Sequence, residues 1–189
     1  MGFGVEEKTR FCSITKDARI GVKVNGEMRL YDFVEGRLEG LAVREVLFGG
    51  EPAEMLSVLL RDEEGPLSVG TSLHGSAGRS IVLSLASEPR RGLVKIRPYK
   101  NKAGYTSVAV SLNERQLRWA EPLAELDAGL DIEPVDLHRR EQIRLWLERI
   151  KASLAGEPWP VAKPVLVGAS KPAAFEPESG EITLDDVPF

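Results

Sequence analysis

The stretch VEGRLEGLAVREVLF, residues 34–48, decides the fold. Its apolar residues alternate loosely with polar ones, as they do along a β-strand with one buried face. Gly36 and Gly40 lie inside it, and a glycine within a strand often marks a bulge or a sharp bend. A long strand that bends in this way suits a small barrel, in which the sheet must curve strongly.

The segments on either side extend this pattern. The first twelve residues or so carry no clear period. Two β-rich runs, RIGVKV and MRLYDF, then meet at Asn25-Gly26, residues that tolerate the positive φ angles of a tight hairpin turn. Downstream, two further strands are predicted in EMLSVLLRD and PLSVGTSL. The run RSIVLSLASEP is predicted as a short helix rather than a strand. A second hairpin is predicted in GLVKIRPYK and GYTSVAVSL.

Three strands, a linking helix and two further strands follow one another in the five-stranded barrel that binds oligonucleotides, the OB-fold. We therefore predict a mainly β protein with C-terminal helices. It consists of an OB-like five-stranded barrel over about residues 17–112, an N-terminal hairpin and a disordered acidic tail. An SH3-like barrel or a β-sandwich is the alternative.

Two helices are predicted after the barrel. Asn113 can cap ERQLRWAEPLAEL, which Pro122 should kink or end. Asp136 can cap a second helix that ends at Gly156. Apolar residues recur at helical spacing along the second helix and should pack on the barrel, with Trp146 at the edge of their stripe. These residues are Ile143, Leu147, Ile150 and Leu154.

The composition divides the chain into three parts. Residues 1–155 form the nucleic-acid-binding domain with its appended helices, 156–180 a proline-rich flexible linker, and 181–189 an acidic docking tail. The single cysteine excludes an internal disulfide, and no apolar run approaches the roughly 20 residues of a membrane helix. Without a signal-peptide pattern, a cytoplasmic protein that does not enter a membrane is expected.

Charge is unevenly distributed, although the net charge is only −4. Residues 88–106 hold six basic residues and one acidic residue, whereas residues 173–189 hold five acidic residues and no basic one. A basic segment and a separate acidic tail indicate two kinds of partner.

Catalytic chemistry is poorly represented. His74 and His138 stand far apart in the sequence, and neither belongs to a cluster with metal-ligand spacing. The glycine-rich GSAGRS lacks the lysine and the spacing of a phosphate-binding P-loop. We therefore expect no enzyme activity, no cofactor and no metal.

The stretch RRGLVKIRPYKNKAGYTSV is the candidate binding site. On a strand, Lys95, Arg97 and Tyr99 project from one face, and Tyr105 returns beside them after a lysine-bearing turn. Cations neutralise phosphates, and aromatic rings stack on unpaired bases. The predicted nucleic-acid-binding residues are Arg90, Arg91, Lys95, Arg97, Tyr99, Lys100, Lys102 and Tyr105. An ordinary solvated hairpin, with tyrosines packed against lysine stems, is the alternative interpretation.

The chain ends in DDVPF, residues 185–189. This ending closely resembles the C-terminal peptide of bacterial single-stranded DNA-binding proteins, which ends in acidic residues followed by Ile-Pro-Phe. The resemblance implies that replication, repair or recombination enzymes dock on it. Val187, Pro188 and Phe189 would make the apolar contact, and Asp185 and Asp186 the electrostatic one. Capture of a terminal carboxylate beside an aromatic anchor is a known recognition mode.

The match covers about the last ten residues, and Thr183 and Leu184 replace what is often a longer acidic run. Residues 1–155 show no close match to the bacterial barrel, which suggests a divergent, phage-encoded or plasmid-encoded counterpart. The resulting hypothesis is a non-catalytic protein that binds and protects single-stranded DNA and recruits partner enzymes. An adaptor or inhibitor that mimics the tail without binding DNA is the alternative. A homo-oligomer is compatible with the sequence, because the N-terminal hairpin can either pair across subunits or cover a barrel edge.

Overall fold

The computed structural model describes residues 8–120 and 135–157. Within them the chain forms nine β-strands and two α-helices. The strands are β1 (Arg10–Ile14), β2 (Ile20–Val24), β3 (Glu27–Tyr31), β4 (Val34–Phe48), β5 (Glu51–Asp62), β6 (Gly65–Ser72), β7 (Leu93–Lys100), β8 (Thr106–Leu112) and β9 (Arg115–Gln116). The helices are α1 (Ser76–Ser87) and α2 (Val135–Ala155). The predicted mainly β class is therefore confirmed, as is the succession of three strands, a helix and two strands from β4 to β8.

All nine strands belong to one sheet, in the order β3-β2-β1-β6-β5-β4-β7-β8-β9. Neighbouring strands are antiparallel except β1 and β6, which are parallel. The core lies against the inner face of this sheet, where α1 and α2 cover it.

The predicted five-stranded barrel is not closed, and this part of the prediction is wrong. The free side of β6 pairs with β1, from Arg10 opposite Leu67 to Ser13 opposite Gly70. An unpaired strand edge leaves backbone N–H and C=O groups without partners, and β1 satisfies those of β6. Strand β1 was not predicted, because its short run carries no clear period.

Strand β4 follows its predicted bounds, and its two glycines have different roles. The pairing register with β5 shifts between Leu38 and Gly40, which confirms a bulge there. The shift allows Leu38 and Leu41 to be buried together. A Cβ atom at Gly36 would lie 3.0 Å from the backbone oxygen of Arg61, so Gly36 permits the close approach of β5.

The hairpin of β2 and β3 turns where it was predicted. Asn25 and Gly26 have φ angles of 51° and 89°, the left-handed values that a tight hairpin turn requires. Helix α1 is also confirmed, although it begins at Ser76, three residues before the predicted segment. Its buried face packs against β8 and α2.

The helix predicted over 114–126 does not form in its described part, 114–120. Asn113 and Glu114 have φ angles of 48° and 69° and make a turn, after which Arg115–Gln116 pairs with β8 as strand β9. The side-chain oxygen of Asn113 accepts a hydrogen bond from the backbone N–H of Leu93, 2.9 Å away. The asparagine therefore supports a hairpin turn instead of capping a helix, a role for which its tolerance of left-handed φ suits it.

Helix α2 carries the predicted apolar stripe. Ile143, Leu147, Ile150 and Leu154 are buried, and Trp146 is buried beside them. The helix ends at Gly156, whose φ of 77° matches the predicted stop. It begins at Val135, so Asp136 lies in its first turn and not at the cap. None of the described helices is long and apolar enough to cross a membrane.

Candidate nucleic-acid interface

Strand β7 separates its side chains into two sets. Val94, Ile96 and Pro98 are buried against the core, which is their contribution to the fold. The alternate residues Lys95, Arg97 and Tyr99 point to the other face, as the sequence predicted for a strand. The three predicted binding residues on β7 are therefore brought together on one surface.

The neighbouring strand leaves this surface open. Arg97 lies opposite Ala109 and Tyr99 opposite Ser107, so small side chains flank the long ones. Tyr99 is 43% exposed and Tyr105 is 66% exposed. Both side chains can therefore be reached from solvent.

The loop that carries Lys102 and Tyr105 is held by Asn101. Its side-chain oxygen accepts hydrogen bonds from the backbone N–H groups of Ala103 and Tyr105, both at 3.0 Å. Its side-chain nitrogen donates to the hydroxyl of Ser107 at 3.3 Å, and that hydroxyl lies 2.8 Å from the hydroxyl of Ser76 in α1. The loop is thus fixed to itself and to the start of the helix, which orders its exposed side chains in advance.

Phe33 joins this surface, although the sequence analysis did not include it. The ammonium nitrogen of Lys95 lies 4.4 Å from the centre of the Phe33 ring, at cation–π distance, and 3.0 Å from a carboxylate oxygen of Glu35. Arg37, further along β4, lies opposite Leu93 on the same face and is exposed. The alternation of β4 places Glu35 and Arg37 together, but only its pairing with β7 brings them beside Lys95.

Lys16, which the sequence analysis also did not include, lies next to this surface. Its backbone oxygen accepts a hydrogen bond from the hydroxyl of Thr106 at 3.0 Å, and the ammonium group of Lys100 lies 3.2 Å from the same hydroxyl. The turn between β1 and β2 is therefore placed at the base of the β7–β8 loop. No local pattern could show this, because the two segments are 90 residues apart in sequence.

We call this set of exposed and half-buried side chains the β7 surface. Its members are Phe33, Arg37, Lys95, Arg97, Tyr99, Lys100, Lys102 and Tyr105.

Arg90 and Arg91, also predicted to bind, lie before the start of β7. Arg90 forms an ion pair with Glu88, and the Nε of Arg91 donates to the backbone oxygen of Leu154 at 3.3 Å. At about 3.3 Å per residue, the extended chain from Arg91 to Tyr99 spans about 26 Å. The structure does not bring these two arginines to the β7 surface, and Arg91 holds the end of α2.

A groove of about 810 Å³ adjoins Phe33, between the inner side of β1–β3 and the start of β4. Arg10 lines it and forms ion pairs with Asp62 and Glu64. The hydrogen bond from Arg10 is the main reason that the pKa of Asp62 lies below its usual value. Four carboxylates and three arginines line this groove, and Phe33 and Arg37 of the β7 surface are among its lining residues. The groove therefore adjoins the β7 surface, and its carboxylates disfavour phosphates inside it.

Titratable groups elsewhere stabilise the fold. Nε2 of His74 lies 2.6 Å from a carboxylate oxygen of Glu54, and Arg144 of α2 approaches the same carboxylate at 3.2 Å. No group of three or more histidine, cysteine or acidic residues within 8–120 and 135–157 is arranged to hold a metal ion. The tail residues Asp185 to Phe189 lie outside the described residues.

Comparison with protein-family models and with curated proteins gives no match. Among solved structures, the chain is similar to the OB domain of a protein from Thermoplasma acidophilum, determined by solution NMR. The similarity covers 55% of this chain and 81% of that one, with 12% sequence identity and a TM-score of 0.19. A score this low adds nothing to the strand order, which by itself places β4–β8 in an OB-like succession with an open barrel.

Proposed function

We propose that the protein binds single-stranded DNA without sequence preference and performs no catalysis on it. The observation that carries this proposal is the β7 surface. Two cations and the exposed Tyr99 follow one another along one face of β7, and Lys102 and Tyr105 continue the set into an ordered loop. Single-strand binding needs both ingredients, a positive track for the backbone and rings on which bases stack.

The cations of this surface are available to phosphates. Arg37, Arg97 and Lys102 are exposed and form no ion pair with any described residue. Each phosphate neutralised on a single strand releases counterions and contributes about −0.7 to the slope of log K against log salt. Three to five such contacts predict a slope between about −2 and −3.5.

The aromatic residues favour single strands over duplex. Tyr99, Tyr105 and Phe33 can stack on bases only when those bases are unpaired, and each such contact is worth about 1–3 kcal/mol. Stacking does not depend on the hydrogen-bonding groups of a base, so little sequence preference is expected.

The C-terminal tail supplies the second half of the proposal. Because DDVPF resembles the docking peptide of bacterial single-stranded DNA-binding proteins, we assign to Asp185, Asp186, Val187, Pro188 and Phe189 the recruitment of replication, repair or recombination enzymes. The protein would then act in the cytoplasm, where it covers a strand and presents the tail to those enzymes.

Fluorescence anisotropy of labelled oligo-dT and of a matching duplex at two salt concentrations tests the binding. Tight, salt-weakened preference for the single strand is expected, and the variant Arg97→Gln should reduce the salt slope by about 0.7. The variant Arg44→Gln, which removes an exposed arginine of β4 outside the β7 surface, is the matched control.

Absence of binding to either oligonucleotide would refute the proposal. It would favour the alternative of an adaptor that presents the tail without binding DNA.

Removal of residues 180–189 separates DNA binding from the recruitment of partner enzymes. DNA affinity should be unchanged or slightly higher, and partner binding should be lost. Loss of DNA binding in this deletion would contradict the separation of roles.

A further inference from the structure

Strand β3 forms one edge of the nine-stranded sheet. It pairs with β2 on one side, from Glu27 opposite Val24 to Tyr31 opposite Ile20, and no described residue pairs with its other side. All five of its residues are exposed, including the apolar Met28 and Leu30. An exposed, apolar strand edge is a template for pairing with another strand.

Some of the usual protections of such an edge are missing from β3, although Glu27 and Arg29 give it two charged side chains. It contains no lysine and no proline, and its register with β2 runs without a bulge through five residue pairs. The opposite edge of the sheet differs, because β9 is only two residues long. Of the two outermost strands of the described sheet, β3 is therefore the longer one.

The charges on β3 indicate which strand it accepts. In an antiparallel pair centred on Met28, Glu27 lies opposite the partner's Arg29, and Arg29 lies opposite the partner's Glu27. Side chains directly opposite each other interact, and opposite charges there are favourable. Centring the pair on Arg29 would instead place two arginines opposite each other. The charges thus favour the register centred on Met28. In it, residues 27–29 of the two copies pair, and Leu30 and Tyr31 extend past the partner's Asn25-Gly26 turn.

Apolar contacts reinforce the same register. Alternation places Met28 and Leu30 on one face of β3 and Glu27, Arg29 and Tyr31 on the other. With the pair centred on Met28, the two methionines lie directly opposite each other, and Leu30 is diagonal to the partner's Met28. A two-fold pair of this kind uses the same patch on both copies, so it closes at a dimer.

We infer that β3 pairs with β3 of a second copy of this chain, so that two nine-stranded sheets become one continuous sheet across a two-fold axis. This inference is independent of what the protein binds.

Sedimentation equilibrium of the full chain from about 1 to 100 µM tests it, with a concentration-dependent dimer as the expected result. Arg29→Glu and Glu27→Arg each place like charges opposite one another, and each should raise the dimer dissociation constant about tenfold or more. The double variant E27R/R29E restores both opposite-charge pairs and should restore the dimer. Arg44→Glu makes the same charge change on β4 and should leave the dimer unaffected.

Hydrogen exchange locates the interface. The backbone amides of 27–29 should exchange more slowly at high protein concentration than at low concentration in the wild type, and not in Arg29→Glu. Thermal unfolding followed by circular dichroism verifies that each variant is folded. A wild-type monomer at every concentration, assemblies larger than a dimer, or a double variant as weak as the single ones would each overturn the inference.

Discussion

The ammonium group of Lys95 lies 4.4 Å from the centre of the Phe33 ring, so the middle of β7 is joined to the residue that precedes β4. The same ammonium group reaches Glu35 at 3.0 Å. One side chain thus links a cation, an aromatic ring and a carboxylate on the β7 surface. A phosphate that binds Lys95 must therefore compete with that carboxylate.

Glu35→Gln should strengthen the binding of single-stranded DNA. The substitution frees Lys95 and removes a negative charge next to the proposed path of the phosphates. Because exposed ion pairs are worth about 0.2–1 kcal/mol, we expect the dissociation constant for oligo-dT to fall about two- to threefold at low salt. Anisotropy titration measures it. Glu51→Gln, which removes an exposed carboxylate at the start of β5, is the control, and an equal gain in that variant would mean that only net charge matters.

Tyr105→Ala should weaken single-strand binding, with loss of stacking on one base worth about 1–3 kcal/mol, or about 5- to 150-fold in affinity. Phe11 offers a matched control, because it and Tyr105 are each 66% exposed. Phe11→Ala removes a ring of equal exposure from β1 and should change the affinity little. Similar losses in the two variants would show that the rings act through general surface hydrophobicity.

Asn101→Ala should loosen the loop without removing any group proposed to contact DNA. Two backbone N–H groups lose their acceptor, and we expect about 1 kcal/mol of destabilisation by urea unfolding. The affinity for oligo-dT should fall severalfold, because Lys102 and Tyr105 are no longer held in place. Asn101→Asp keeps the acceptor oxygen and should retain the loop. Wild-type affinity in the alanine variant would contradict a positioning role for Asn101.

Glu54 makes stability depend on pH. The pKa of Glu54 is lowered mainly by its hydrogen bond to His74. Burial opposes this shift, and Arg144 adds to it. A carboxyl group whose pKa is lower in the folded than in the unfolded state stabilises the fold above its unfolded pKa. That contribution is lost as the pH falls through the folded value. The free energy of unfolding of the wild type should therefore decrease as the pH falls below about 4.5.

Glu54→Gln tests this assignment. The variant should be about 1–2 kcal/mol less stable at pH 7, because Arg144 loses a charged partner, and the difference from the wild type should shrink towards pH 3. Urea unfolding between pH 7 and pH 3 gives the free energies. A difference that stays constant over this range would assign the loss to packing.

Cys12 should react slowly with thiol reagents. It is buried among core residues, and burial raises its pKa to about 11, so little thiolate exists at pH 8. Labelling with a disulfide reagent should be slow in the folded protein and rapid in urea. Rapid labelling without denaturant would show that β1 opens from β6 in the native state.

The sequence was sufficient for features that depend on local chemistry. The bounds of β4, the bulge at Gly40 and the Asn25-Gly26 turn follow from alternation and from residues that accept unusual backbone angles. The face shared by Lys95, Arg97 and Tyr99 follows from the two-residue period of a strand. Each of these needs only neighbours within a few residues.

Features that depend on distant segments were missed. The partner of β6 is a short N-terminal strand without a clear pattern. With β1 unpredicted, closure of the barrel was the expected way to pair the free edge of β6. Phe33 and Lys16 reach the β7 surface only through pairings between segments that are far apart in sequence. Asn113 was misjudged for another reason, because asparagine suits both a helix cap and a left-handed turn, and the tertiary pairing of β9 decides between them.

The parallel pairing of β1 with β6 has a consequence for synthesis of the chain. Strand β1 ends at Ile14, whereas β6 begins at Gly65, so β1 leaves the ribosome well before its partner exists. The hairpin of β2 and β3 can form at once from neighbouring residues, but β1 gains its second neighbour only after β4 and β5 have been made. Such distant contacts are slow to form. Strand β1 precedes the other described strands, yet it is fully paired only when β6 emerges, and a nascent chain is open at this strand until then.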